Sequence, residues 1–101
     1  MADSIEVERA RIERRRGLSP DEWRDFCARR RQLFRAAMAI GGFTVTAFAE
    51  RLDRQRVHVY KVLNGDRGSP WIEAAIYQVI AAAFPAEAAP YYVAPPPIRE
   101  D

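Results

Sequence analysis

Residues 44–65 contain two short apolar patterns that are separated by only three polar residues. In the first pattern, Phe48, Ala49 and Leu52 share one face of a helix, and residues 53–55 follow it. Because three residues allow a tight corner but no flexible loop, two amphipathic helices joined in this way share one core only if they cross steeply. The pattern therefore predicts a helix-turn-helix. The apolar residues of its second helix are Val59, Val62 and Leu63.

The sequence at these positions resembles the XRE family of helix-turn-helix proteins, which are lambda-repressor-like and Cro-like. The resemblance covers roughly residues 33–84. It implies a compact all-α domain of four to five helices, here with an extra N-terminal helix, that binds double-stranded DNA. The ungapped matches in identity or type are Thr44, Phe48, Ala49, Leu52, Val59, Val62, Asn64 and Gly65.

Three corner residues depart from the family pattern. Asp53 replaces the usual turn glycine, and aspartate tolerates the left-handed conformation better than most residues. Arg54 stands where a small apolar residue normally fills the corner. Gln55 stands where serine normally caps the recognition helix, and it is a weaker cap. We therefore expect the corner to form at some cost in stability.

The outer face of the second helix is basic and rich in hydrogen-bonding groups, as a helix that enters the major groove should be. We expect residues 55–64 to form this recognition helix. Base contacts are predicted for Gln55, Arg56, Val57, His58 and Lys61. Contacts to the DNA backbone are predicted for Arg31, Thr44, Thr46, Arg54, Tyr60, Asn64 and Arg67.

A long first helix is predicted to begin at Pro20 and to end near Ile40. Ser19 is its N-cap, and Glu22 completes a capping box. Arg30 falls inside the apolar stripe, which suggests that this helix faces two environments. The stripe consists of Trp23, Phe26, Cys27, Leu33, Phe34, Ala37 and Ile40.

A last helix is predicted to begin at residues 69–70 and to end at residues 84–85. These predictions divide the chain into three parts. They are a charged helical arm over residues 1–18, the helix-turn-helix domain over residues 19–84, and a proline-rich tail over residues 85–101 that is expected to dock in part. The predicted core face of the last helix is Trp71, Ala74, Ala75, Ile76, Val79 and Ala83.

The net charge of +2 is unevenly distributed along the 101 residues. Residues 29–67 hold nine basic and three acidic side chains, a balance of +6, whereas residues 1–28 carry −1 and residues 68–101 carry −3. Fifteen of the sixteen basic side chains are arginines, which suits bidentate contacts to phosphate and guanine but also follows from G·C-rich codons. The basic charge thus lies on the predicted recognition helix and its supports.

Other classes of protein fit the sequence less well. Cys27 is the single cysteine, the N-terminus lacks an apolar signal segment, and no apolar run is long enough to span a membrane, so we expect a cytoplasmic, nucleoid-associated protein without membrane contact. His58 is the single histidine and is expected on a convex helix face rather than in a cleft. We therefore expect no enzymatic activity, metal, cofactor or small-molecule ligand.

The function that the sequence favours is a sequence-specific transcriptional regulator, expected to be a repressor, that binds DNA as a homodimer. Two alternative functions are also compatible with the sequence. One is a protein-interaction adaptor or antitoxin-like module, and the other is an accessory protein similar to the phage Ner-like and transposition-associated proteins. A dimer or partner interface is predicted at Trp23, Phe26, Trp71, Tyr91 and Tyr92.

Overall fold

A computed structural model describes residues 15–95, which form four α helices and one short 3-10 helix, with no strand in that range. The predicted all-α class is confirmed at this level. The predicted arm at residues 1–14 and the end of the tail at residues 96–101 lie outside the described part of the chain. The elements are α1 (Pro20–Gly41), α2 (Val45–Arg51), α3 (Arg56–Leu63), α4 (Pro70–Ala83) and the 3-10 helix Ala89–Tyr91.

The beginning of α1 has the predicted capping box. Ser19 Oγ accepts the backbone N–H of Glu22 at 3.2 Å, and the Glu22 carboxylate accepts the backbone N–H of Ser19 at 2.9 Å. These hydrogen bonds stabilise the carboxylate form and lower the pKa of Glu22. Gly42 ends the helix with a φ of 72°, close to the predicted end near Ile40.

The corner between α2 and α3 is built around a left-handed aspartate. Asp53 has a φ of 54°. Its backbone N–H donates to the carbonyl of Glu50 at 3.1 Å, and the N–H of Arg54 donates to the carbonyl of Ala49 at 2.9 Å. These two bonds form a Schellman motif, the usual glycine-containing end of a helix, with aspartate in the position of the glycine.

The hydrophobic core lies between α1 and α4, and α2 and α3 pack across it. Phe34 of α1 meets Phe48 of α2 edge to face, with ring centroids 5.0 Å apart. The chain bends by 90° between α1 and α2. From α3 the predicted residues Val59, Val62 and Leu63 are all buried in this core.

Two parts of the predicted core are wrong. Ile40 is 68% exposed, because Ala37 and Met38 fill the core at the end of α1 instead. In α4 the core face is rotated toward Ile72 and Ile80, which are buried, whereas Ala75 and Val79 lie at its edge. Both errors arise because a helix rich in apolar residues does not by itself indicate which of them face the core.

No single helix between residues 15 and 95 is both long enough and apolar enough to cross a membrane. Only α1 and α2 taken together meet that test of length and composition, as a bent pair.

Candidate nucleic-acid interface

The exposed face of α3 carries a mixture of apolar, aromatic and basic side chains. Val57 is 50% exposed and Tyr60 41% exposed, although both are large hydrophobic residues. Arg56 and Lys61 are also exposed. Since Val59, Val62 and Leu63 hold the other face in the core, α3 presents these four side chains outward.

The first turn of α3 lies beside the beginning of α2. Arg56 Nη1 donates to Thr46 Oγ1 at 3.5 Å. Thr44 caps α2 by accepting the N–H of Ala47 at 3.2 Å, so its side chain is already engaged as a cap. Gln55 precedes α3 without any side-chain capping bond. The structure thus places Thr44, Thr46 and Arg56 along one edge of the exposed surface.

A first hollow, of about 310 Å³, lies between α1 and α3. Arg31 Nη1 donates to Asn64 Oδ1 at 3.3 Å, which brings together two of the predicted backbone contacts. Tyr60 and Arg35 also line this hollow. Arg35 was not among the predicted site residues, and its position one turn after Arg31 on the same helix is the signal that identifies it.

A second hollow, of about 530 Å³, lies on the opposite flank of α3, between the corner and the start of α4. Arg54, His58 and Arg67 line it, together with the uncharged residues Ser69 and Ile72. The prediction that His58 lies on a convex face is therefore wrong. The reason is that the residues after α3 fold back beside it, which the helical pattern of residues 56–63 does not reveal.

The end of α3 is fastened by a second Schellman motif. Gly65 has a φ of 82°, and its N–H donates to the carbonyl of Val62 at 3.0 Å. The N–H of Asp66 donates to the carbonyl of Lys61 at 2.9 Å. A methyl group at residue 65 would lie 2.5 Å from Nε1 of Trp23 and 2.7 Å from Sγ of Cys27, so only glycine fits there.

Arg30 connects the end of α3 to α1 and α4. It is 2% exposed, and its Nη2 donates to the carbonyls of Val62 at 2.6 Å and Leu63 at 3.4 Å. Its Nη1 pairs with the Glu73 carboxylate at 3.5 Å. Burial lowers the pKa of Arg30, whereas the electrostatic effects of Cys27 and Glu73 raise it.

The positive charge of Arg30 also lies at the negative end of the α3 dipole. The helical pattern places Arg30 in the apolar stripe of α1, but it does not reveal that Arg30 contacts the end of α3. The carbonyls that it contacts are 32 and 33 residues away in the chain.

An aromatic cluster covers the beginning of α1. Trp23 and Phe26 stack with ring centroids 5.3 Å apart, and Tyr91 from the tail lies 4.9 Å from Phe26. Arg16 lies over Phe26 at 5.2 Å and donates hydrogen bonds to the carbonyls of Pro90 and Tyr92. The described part of the tail, residues 85–95, therefore docks on the domain.

Within this cluster, one residue of the predicted partner interface is buried inside the chain. Tyr91 is only 7% exposed, burial raises its pKa, and its contacts with Phe26 lie within the chain. Trp23 donates to the carbonyl of Gly65 at 3.4 Å. Tyr92 remains 55% exposed beside Tyr77. The sequence does not reveal these contacts, because the residues that make them are distant in the chain.

An apolar groove of about 540 Å³ lies where α1 ends, between α2 and α4. Ile40, Phe43 and Leu52 line one side of it, and Val79 lies on α4. Trp71, the other residue predicted at an interface, is half-buried at the start of α4.

No group of three metal-ligating side chains occurs among the residues that the structure describes. Comparisons of the chain with protein-family models, curated proteins and solved structures found no match. The likeness to the XRE family therefore rests on the residues themselves, and the roles of the site residues stay predictions.

Proposed function

We propose that this protein is a sequence-specific DNA-binding regulator in which α2 and α3 form a helix-turn-helix and α3 enters the major groove. The observation that carries the proposal is the outward face of α3. It combines exposed Arg56 and Lys61 with exposed Val57, while the opposite face is held in the core. Basic and apolar groups on one exposed helix are what reading of base edges requires.

The surroundings of α3 support this proposal. Each flank of the helix carries a hollow lined by two arginines, Arg31 and Arg35 on one side and Arg54 and Arg67 on the other. The two backbones that border a major groove pass along both flanks of a helix lying in it. Arginines on both flanks suit contacts to both backbones.

The proposed reading of bases divides among the exposed side chains. Arg56 forks onto O6 and N7 of a guanine, and Val57 contacts a thymine methyl group. Lys61 lies one turn after Val57 and reaches the next base pairs. Val57 in this role also explains why an apolar side chain is half exposed beside Arg56 and Lys61.

We further propose that two copies bind together. A single domain of this size buries too little surface on DNA for tight specific binding, so half-sites about one helical turn apart are expected. Binding would repress transcription by occluding the promoter. Light scattering of the complex with duplex DNA measures the number of copies bound, and two copies are expected.

Matched variants test the orientation of α3. Arg56→Ala should cost about 1–3 kcal/mol on the preferred site and relax one base position. Arg67→Ala should weaken all duplexes alike and reduce the slope of log Kd against log salt by about 1. Arg24→Ala is the control, because Arg24 is exposed on α1 and pairs with Asp21 of the same helix at 3.6 Å. Unchanged binding by both Arg56→Ala and Arg67→Ala would contradict the proposal.

Salt dependence separates DNA binding from the adaptor alternative. A protein that contacts six or more phosphates loses roughly a thousandfold or more in affinity between about 50 and 200 mM salt. A protein-interaction module has no reason to do so. The adaptor alternative would have to use Tyr92 and the exposed parts of Trp23 and Phe26, because Tyr91 is buried against Phe26 within the chain.

A further inference from the structure

The hollow lined by Arg54, His58 and Arg67 suggests a role for histidine other than base reading. His58 is half-buried on the flank of α3, whereas Val57 and Lys61 lie on its outward face. Two arginines from different segments share the hollow with it, Arg54 from the corner and Arg67 from the loop before α4. Three side chains that can each donate hydrogen bonds therefore surround one concavity of about 530 Å³.

We propose that this hollow binds one phosphodiester of the DNA backbone and that His58 takes up a proton when it does so. The inference rests on the proposed function and deepens it. It moves His58 from the bases to the backbone and makes DNA affinity depend on pH.

The charged side chains around His58 favour an anionic ligand in this hollow. Arg54 faces it from the corner, Arg67 faces it from the loop, and Lys61 follows one turn later on α3. From the start of α4 the hollow receives Ser69 and Ile72, which carry no charge. No carboxylate lines this hollow, so the groups lining it supply positive charge without a counter-charge.

The nearest acidic residues are engaged elsewhere or lie outside the lining. Asp53 and Asp66 are exposed and adjoin Arg54 and Arg67 in sequence, but neither lines the hollow. Glu73 of α4 pairs with Arg30 and accepts the N–H of Ser69. An anion that enters between the two arginines would therefore be the first negative charge in the hollow.

A phosphodiester fits this position better than a base edge does. Arginine guanidinium groups bind phosphate oxygens in bidentate fashion, and a protonated imidazole donates from either nitrogen. The phosphodiester is already charged at all relevant pH values, so the proton is taken up by the imidazole. Histidine is the side chain whose charge changes between about pH 5 and pH 8. DNA should therefore bind more tightly as pH falls through this range.

The sequence makes the effect assignable, because His58 is the only histidine in the chain. Burial raises the pKa of the Cys27 thiol, which keeps that group protonated in the same range. A change in affinity between about pH 8 and pH 5.5 that disappears in His58→Gln therefore belongs to His58.

The experiment measures the affinity of the full chain for a mixed-sequence duplex of roughly two helical turns at both pH values and at several salt concentrations. For the unmodified protein we expect affinity to rise roughly fivefold to tenfold at the lower pH, with a salt slope steeper by about 0.9. His58→Gln should be independent of pH. His58→Arg should also be independent of pH but should retain the higher affinity, which a merely structural histidine would not allow.

Two comparisons separate the possible failures. If no duplex binds at either pH, the proposed function fails and this inference fails with it. If duplexes bind but pH dependence is absent, or persists in His58→Gln, only this inference is overturned. A loss of affinity in His58→Gln confined to duplexes with one particular base pair would return His58 to base reading and would also overturn it.

A nuclear magnetic resonance titration distinguishes backbone phosphate from free phosphate. The imidazole signals of His58 should shift on addition of the duplex. Inorganic phosphate at equal concentration should leave them nearly unchanged, because a single anion lacks the other contacts of the duplex. Saturation of the shift by inorganic phosphate alone would overturn the assignment to DNA.

Discussion

The two ends of α3 differ in the hydrogen bonds that stabilise them. At its beginning, Gln55 makes no capping hydrogen bond, and the corner before it depends on a left-handed Asp53. At its end, Gly65 completes a Schellman motif, and buried Arg30 donates to the last carbonyls of the helix. The difference shows that α3 is held mainly from its C-terminal end.

This difference suits the proposed role of α3 as the helix that enters a DNA groove. Two of the residues proposed to read bases, Arg56 and Val57, lie in the first turn of α3, where the side-chain hydrogen bond to the rest of the chain is the long one from Arg56 to Thr46 at 3.5 Å. The strong contacts lie in the second half, on α1 and α4. Local adjustment of the first turn would then cost little, while the position of the helix as a whole stays fixed.

The largest effect on stability is expected when Arg30, which contacts the C-terminal end of α3, is replaced. Arg30→Met leaves the Glu73 carboxylate and the Leu63 carbonyl without this partner, and it should lower the free energy of unfolding by about 3 kcal/mol. Arg29→Met on the exposed face of α1 should change it by less than about 0.5 kcal/mol. Urea unfolding followed by circular dichroism measures both.

Glu73→Gln sharpens the test of Arg30. Combined with Arg30→Met, it removes the unpaired charge and should recover part of the lost stability. Equal stabilities of Arg30→Met and Arg29→Met would contradict the view that Arg30 fixes the end of α3.

An intermediate effect is expected at Gly65. Gly65→Ala should lower the free energy of unfolding by about 2 kcal/mol, since it adds a clash with Trp23 to the cost of left-handed backbone. Gly42→Ala is the matched control, because its φ of 72° is similar but no atom lies within 4 Å of the added methyl group. It should cost only about 1 kcal/mol. Thermal denaturation of the two variants compares them, and equal losses would exclude packing at Gly65 as the cause.

The smallest effects on stability are expected at the N-terminal ends of α3 and α2. Gln55→Ser introduces a side chain that accepts a backbone N–H in the first turn of α3 and should raise the free energy of unfolding by about 0.5 kcal/mol. Thr44→Ala removes an existing cap and should lower it by about 1 kcal/mol. The same unfolding measurements detect both changes. A decrease in stability for Gln55→Ser would mean that the first turn already has a partner that serine does not replace.

The sequence predicted those features whose causes lie within a few residues. The cap at Ser19 and the left-handed corner at Asp53 both depend on residues close to the backbone that they stabilise. The apolar pattern of residues 59–63 likewise identified the buried face of α3.

The features that were not predicted depend on contacts between distant segments. Arg30 on α1 donates hydrogen bonds to carbonyls at the end of α3, and Tyr91 contacts Phe26, which lies much earlier in the chain. His58 lines a hollow only because the loop after α3 folds back beside it. A helical pattern gives the direction of a side chain relative to its own axis, whereas these roles depend on which other segment lies in that direction.

The proposed role of α3 can be tested by mapping the surface of the protein that contacts DNA. Amide signals of the isotope-labelled protein should be recorded while duplex DNA is added. We predict that the largest shifts occur at residues 56–61, with smaller ones at Arg31 and Arg67, and that Trp23 and Tyr91 are unaffected. Shifts centred on Tyr92 or on the groove beside Ile40, with residues 56–61 unchanged, would contradict the proposal that α3 reads DNA.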